Sequence, residues 1–393
     1  MVSIKRQKRE KLMTTSEKLP WELEEEILSR VPIQSLARFR SVCKRWNGLF
    51  NESKFIKGHL DRARPQFILL SQSSMYSIEI NDLDGVDPTV KLRDLASFSS
   101  SSCEIAWQEI DFDHTTTITS FDGLLFCNFW PRESRAALWN PWLMSSRPPP
   151  QVKWIEFGDR KFYVCGLGYD KNKVYKMFGY FICLRQVRNN YHERAAVYHC
   201  GSQAFKFIDT PGEDWPIREA YRYNVSLNGN LYWITSNAGK HFIRSFDFSK
   251  EILKPFCLLP CQHKNDSRDE LVLEVFKGCG FSLLKQCYVT RKIEIWVTNK
   301  KIGEEEEVVW IMVMTLPTTD LPSLITSRLC GTISYFICDK TLVICCAENK
   351  TGDVCIYIVR SDLFKKFPTG SAIYQCCHCV YAPNLIPLHM ISG

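Results

Sequence analysis

The chain has 393 residues, 45% of them apolar and 13% aromatic, enough for one large core with a small domain appended and too apolar for a chain that stays unfolded. No apolar run approaches the length that spans a bilayer, and residues 1–10 carry charge without the apolar stretch of a signal peptide, so neither a membrane partner nor export is expected. The formal charge is +7, yet residues 1–64 hold 15 basic against 8 acidic residues, leaving 35 of each sign in residues 65–393; the larger part is neutral, and nucleic acid is not its expected partner.

The expected compartment is the nucleus or cytoplasm. Eighteen cysteines in such a reducing setting read as small buried apolar residues rather than as disulfides. Residues 1–15 form a basic tail, expected to be disordered. Within it Lys5, Arg6, Lys8 and Arg9 are either a nuclear localisation patch or an ordinary solvated terminus.

Residues 16–60 read as three short helices. Leu19, Leu23, Ile27 and Val31 recur every four residues and fall on one helical stripe, while Glu22, Glu24, Glu25 and Glu26 complement the positive N-terminal end. Pro20 suits the first turn, Pro32 stops the helix, and Ser35 and Ser41 are the expected caps of a second helix carrying Leu36 and Phe39 and a third carrying Val42, Trp46 and Leu49. So much apolar surface exceeds what three short helices bury against one another, and it needs a partner.

Leu19-Pro20, Glu26-Ile27-Leu28, Pro32, Arg38-Phe39-Arg40, Val42-Cys43-Lys44 and Trp46 stand in the order and spacing of the F-box, which this segment closely resembles. Glu22 stands where Asp is common in that pattern and Val31 where Leu is common. The resemblance implies docking onto the Skp-type adaptor of a cullin-based ubiquitin ligase. The residues it marks for that contact are Leu19, Pro20, Leu23, Ile27, Val31, Pro32, Leu36, Val42, Cys43 and Trp46.

Residues 61–65 read as a linker, and from residue 66 helical spacing gives way to short apolar runs broken by Gly, Asn, Asp and Pro, the signature of an all-β array. Quasi-repeats open near Gln66, Gly123, Val174, Asn230, Ser282 and Thr341, at intervals of 57, 51, 56, 52 and 59 residues. The period is close to the roughly 50 residues of a kelch blade. Each opening run has a second run behind it, at 75–80, 136–140, 196–199, 242–248, 292–298 and 354–359, as paired central strands require. Six such units predict a six-bladed kelch-like β-propeller over residues 66–390, with a two-sheet β-sandwich as the alternative.

Phe121-Asp122-Gly123-Leu124-Leu125, Leu138-Trp139-Asn140-Pro141, Gly166-Leu167-Gly168-Tyr169-Asp170, Asn230-Leu231-Tyr232-Trp233, Ile293-Glu294-Ile295-Trp296 and Tyr381-Ala382-Pro383-Asn384-Leu385 resemble, in order, the motifs of the F-box-associated domain of a large plant family. Physically they are turn chemistry and aromatic wedges. The resemblance implies a domain that selects the protein to be ubiquitinated.

Chemistry of the chain's own is sparse. Cys376-Cys377-His378-Cys379 alternates its side chains along a strand and cannot surround one ion, and Cys257, Cys261 and His263 do not supply a paired zinc spacing. No metal or other cofactor is expected. Cys376 and Cys379 form a C-x-x-C without the strand–helix unit that activates such thiols. No phosphate-binding loop or nucleophile elbow occurs, and Glu304–Glu307 read as a solvated hairpin tip. The sequence therefore predicts a non-catalytic receptor that holds a Skp-type adaptor, and through it a cullin, at one end and an unidentified target protein at the other. The rival reading is a propeller enzyme or sugar-binding lectin in which the F-box is incidental.

Overall fold

The computed structural model describes residues 19–71, 75–95, 117–128, 135–143, 152–158, 161–184, 191–209, 224–237, 239–260, 268–303, 307–316, 321–324, 332–348, 351–370 and 377–386. The basic tail, Glu304–Glu306, Cys261, His263 and Cys376 lie outside them.

The helical segment holds α1 (Trp21–Ser29), α2 (Ile33–Phe39), α3 (Lys44–Leu49) and α4 (Ser53–Arg62). Pro20 and Pro32 stand directly before α1 and α2 as their N-caps, and the carbonyl of each accepts the first helical amides. The two expected serine caps are corrected here. A proline already has the φ that leads into a helix, so α2 starts at once and Ser35 falls inside it. Ser41 Oγ bonds back to the Arg38 carbonyl at 2.8 Å, and the cap of α3 is Cys43, whose sulfur accepts from the Trp46 amide at 3.4 Å. The fourth helix runs into the expected linker; it buries Phe55 and Ile56 and holds His59 Nε2 3.0 Å from the Val31 carbonyl, tying it to the end of α1.

The remaining chain folds into six four-stranded antiparallel sheets. Their central pairs are β1 (Gln66–Leu70) with β2 (Met75–Asn81), β5 (Leu124–Asn128) with β6 (Arg135–Trp139), β9 (Tyr175–Leu184) with β10 (Tyr191–His199), β13 (Asn230–Asn237) with β14 (Lys240–Asp247), β17 (Gly280–Gln286) with β18 (Ile293–Thr298), and β21 (Thr341–Ala347) with β22 (Val354–Arg360). These are the paired runs of the sequence repeats, and the architecture is a six-bladed propeller. The inner strands β4 (Thr117–Phe121), β8 (Phe162–Tyr169), β12 (Asn224–Leu227), β16 (Glu270–Phe276), β20 (Ser334–Cys338) and β24 (Cys377–Tyr381) contact one another in a ring. The outer strands are β3 (Thr89–Asp94), β7 (Val152–Glu156), β11 (Ala204–Phe207), β15 (Ile252–Leu258), β19 (Trp310–Leu316) and β23 (Leu363–Pro368).

Turn chemistry sets the hairpins. Asp122-Gly123 and Asn228-Gly229 have positive φ at both positions, the tight turn whose twist matches the strands it joins. In Gly166-Leu167-Gly168 the glycines serve packing between blades: a Cβ on Gly168 would sit 2.2 Å from the Phe248 ring and 2.4 Å from the Gly229 carbonyl.

Closure is circular. β24, from the C-terminal end, pairs with β1 in the register Phe67↔Val380 and Ile68↔Cys379 and so becomes the inner strand of the first blade. Beyond it Asn140 Nδ2 donates to the Asn384 carbonyl at 3.0 Å and the Ile386 carbonyl at 3.1 Å, while Tyr381 Oη donates to Asn140 Oδ1 at 3.1 Å. Asn384 in turn donates to the Gly123 carbonyl. The closing segment is thus fastened to the second blade by buried, satisfied polar groups.

The core lies between blades rather than inside any one of them. Phe178, Tyr180 and Val197 of the third blade pack with Leu231, Trp233 and Phe246 of the fourth, and similar clusters join the fourth to the fifth, the fifth to the sixth and the sixth to the first. A further cluster is continuous from Leu28, Leu36, Phe50 and Phe55 of the helical segment into Ile68, Phe121, Trp139 and Leu385 of the propeller. The helices therefore sit on the propeller as one body with it.

Candidate functional site

The apolar stripe of α1 divides sharply. Leu28 turns inward and is buried, whereas Leu19, Leu23 and Ile27 are 44%, 51% and 55% exposed on the outer side. Four-residue spacing puts Leu23 and Ile27 on one line of α1, whereas Leu19, expected on the same helical stripe, precedes the Pro20 cap and lies outside the helix. Pro20 and Pro32, the N-caps of α1 and α2, and Val42 and Cys43, just before α3, are exposed as well. Leu23 and Ile27 on α1, with Leu19 just before its cap, put three large aliphatic side chains in water, a surface of the kind that protein partners cover.

The structure places the rest of the expected contact set differently. Leu36 is completely buried in the cluster that joins helices to propeller, so it supports the face from beneath and presents no surface of its own. Val31 and Trp46 are half-buried against the same cluster. The Trp46 ring lies 5.6 Å from that of Phe39, and its Nε1 donates to Glu24 Oε2 at 3.1 Å, locking α3 to α1. The Arg45 guanidinium stacks 3.6 Å over the Trp21 ring and adds a second link between the same helices. Arg30 pairs with Glu26 one turn earlier, and that hydrogen bond holds the Glu26 carboxyl below its usual range.

Sequence reasoning missed Trp21, Glu24 and Arg45 as positioning groups because their partners lie on another helix. It missed α4 although Phe55, Ile56 and Leu60 carry a helical spacing, because the expected pattern was complete before it.

The metal candidates occupy ordinary structural places. His378 on β24 is buried, with Nδ1 3.0 Å from Ser334 Oγ; its amide bonds Thr332 Oγ1 at 3.2 Å, and burial pushes its pKa down to about 4. Cys379 is buried in the core, its thiol pushed well up by the same desolvation. Elsewhere the ligand atoms of Asp84, between β2 and β3, and of Cys338 and Asp339, where β20 turns into β21, lie within 4.8 Å of one another; the two carboxylates are exposed, as is common without an ion.

A helical segment with an exposed apolar face, carried on a six-bladed propeller, defines an F-box protein of the propeller type. The family model of the F-box domain matches residues 16–57 and that of the F-box associated beta propeller domain matches residues 66–388; the chain belongs to this plant F-box family. It is 53% identical over 383 residues to F-box protein At3g17710 of Arabidopsis thaliana, covering 94% of this chain and 97% of that one. It is 48% identical over 388 residues to Protein SUPPRESSOR OF NIM1 1 of the same plant, covering 95% of this chain and all of that one.

Proposed function

We propose that the chain is the substrate-recognition subunit of a Skp-cullin-F-box ubiquitin ligase, in which Leu19, Pro20, Leu23, Ile27, Pro32, Val42 and Cys43 contact the Skp-type adaptor and the propeller holds a target protein. The observation that carries this is the line of exposed aliphatic side chains on α1, backed by a buried core continuous with the propeller. A rigid link between clamp and target holder is what a receptor acting by proximity needs. Fixing a target beside a charged ubiquitin-conjugating enzyme raises the effective concentration of its lysines, and no residue of this chain takes part in the chemistry. The nucleus or cytoplasm is the compartment of this reading, and replacing Lys5, Arg6, Lys8 and Arg9 by alanine in a fluorescent fusion tests whether the tail directs entry to the nucleus.

Adaptor binding is tested by titrating a purified Skp-type adaptor against the full chain and its Leu19→Ala/Pro20→Ala variant. Removing two apolar contact residues of such an interface costs about 2–4 kcal/mol, or roughly 30- to 800-fold in affinity. Undiminished binding by the double variant would remove the basis for the assignment.

A further inference from the structure

Residues 27–51 hold five basic residues, Arg30, Arg38, Arg40, Lys44 and Arg45, and no acid. Three of the five are engaged: Arg30 pairs with Glu26, Arg40 reaches Leu385, and Arg45 lies over Trp21. In space Glu24 of α1 reaches α3, where its carboxylate is taken up by Trp46 Nε1. Arg38 and Lys44 stand exposed on either side of the turn between α2 and α3, which is therefore locally cationic.

At the centre of that turn is Ser41, exposed, three positions after Arg38 and one after Arg40. Among the described residues no other exposed serine or threonine has two arginines within the three preceding positions. The Ser41 hydroxyl donates to the Arg38 carbonyl at 2.8 Å, and its amide bonds the same carbonyl at 3.2 Å. The hydroxyl bond lies at the surface, where a turn opens to an extended form at small cost. The turn also belongs to the docking face. Val42 and Cys43, the next two residues, are exposed and are among those assigned to the adaptor contact. A hydroxyl beside them is compatible with an apolar contact, whereas a phosphate carries nearly two negative charges that binding would strip of water.

We propose that Ser41 is a phosphorylation site for an arginine-directed protein kinase, and that its phosphate closes the docking face to the adaptor. The second half rests on the receptor reading above. The kinase class follows from charge: a substrate groove lined with acidic residues recognises a cationic segment, and such charge patterns separate one kinase's substrates from another's. In the transfer, Ser41 Oγ bonds to the γ-phosphorus of magnesium-bound ATP as the bond from that phosphorus to its bridging oxygen breaks. ADP leaves with the electron pair, and the hydroxyl proton passes to the kinase's base. Adaptor and kinase need the same turn, so each excludes the other.

The test incubates the purified full chain with magnesium-ATP and a kinase that requires arginine before its serine, with a kinase that requires acidic residues as control, and locates phosphate by mass spectrometry. Wild type is expected to carry phosphate on Ser41 with the first kinase and not with the second. Arg38→Ala should slow that transfer about tenfold or more, and Ser41→Ala should lack it. Saturation with a purified Skp-type adaptor should protect the site. Phosphorylated wild type should bind the adaptor about tenfold or more weakly, while Ser41→Ala treated alike binds as the untreated chain does. Both variants replace exposed side chains, and thermal midpoints within the range of ordinary surface changes, for them and for the phosphorylated chain, verify the fold. Absence of phosphate on Ser41, equal transfer by the acid-directed kinase, an unchanged rate in Arg38→Ala, or transfer undiminished by bound adaptor would overturn the proposal. So would a phosphorylated chain that binds adaptor like the unmodified one, or that loses binding only because it unfolds. The two ideas are read apart: absent capture by unmodified wild type defeats the receptor reading and the switch with it, whereas phosphate on Ser41 is measured without any adaptor.

Discussion

The guanidinium of Arg40, in the helical segment, donates through Nη2 to the backbone carbonyl of Leu385, 345 residues away, at 3.2 Å. The same side chain reaches the Phe50 carbonyl at 3.2 Å and Asn51 Oδ1 at 2.9 Å. One arginine thus ties the helical segment to the segment that closes the propeller. Arg40→Ala leaves three acceptors without this donor, two of them backbone carbonyls, and is expected to destabilise the protein by about 2–3 kcal/mol. Lysine retains the charge but not the fork, so Arg40→Lys should recover only part of the loss. Thermal unfolding of the three proteins checks this, and an unchanged midpoint in Arg40→Ala would mean that helical segment and propeller are not coupled there.

Much of this arrangement was legible in the chain itself. The six strand pairs follow from runs near Gln66, Gly123, Val174, Asn230, Ser282 and Thr341, because a blade repeats its hydrophobic pattern once per sheet and needs no long-range information to do so. The stripe of Leu23 and Ile27 was equally local. The depth of Leu36 was not: its spacing suits either face of a short helix, and only the cluster it shares with residues of the propeller decides the side. The Arg40–Leu385 bond and the pairing of β24 with β1 are closures between distant parts of the chain, which no window of sequence displays.

His378 carries a pH prediction. Burial among the inner strands holds its imidazole neutral, with the pKa pushed from 6.5 down to about 4. Between those values the unfolded chain binds a proton that the native protein excludes. Its contribution to stability is therefore intact above pH 6.5, is lost as pH falls from 6.5 toward 4, and reaches a loss of about 3 kcal/mol below that. His378→Asn keeps a polar group near Ser334 Oγ and does not titrate. The difference in midpoint between wild type and His378→Asn should accordingly narrow on acidification from pH 7 to 4.5, and two parallel curves would contradict the buried placement.

The cysteines should sort by environment when the native protein meets a thiol reagent. Hydrogen bonds from the Thr290 side chain and amide lower the Cys287 pKa, and Cys43 is exposed, so both should be modified early. Burial pushes Cys127, Cys165 and Cys379 well above the ordinary thiol range, and Cys345 and Cys355 are buried in the sixth blade. These five should react only after denaturation. Mass spectrometry of a labelling time course checks the order, and rapid labelling of native Cys379 would refute its place on the inner strand. Elemental analysis of the same sample tests the expectation that cysteine serves packing: about one zinc per chain, lost with Cys377 and Cys379, would overturn it.

Residues that touch the adaptor should separate from those that only hold the face in shape. Ile27 is 55% exposed and Leu36 is fully buried, though the two are nine positions apart in the same small segment. Ile27→Asp puts a charge on the outer surface, where it costs the fold little, but in the complex that charge is stripped of water with no partner. It should lower adaptor affinity by about 100-fold or more while moving the unfolding midpoint by no more than an ordinary surface change. Leu36→Ala removes buried volume between helix and propeller and should cost about 2–5 kcal/mol of stability. At a temperature where the variant remains folded, its adaptor affinity should stay within a few-fold of wild type, because the lost atoms never reach the interface. Parallel measurement of midpoint and adaptor affinity distinguishes the two behaviours. If Leu36→Ala lost binding without losing stability, or Ile27→Asp lost stability without losing binding, the outward stripe of α1 would not be the docking face.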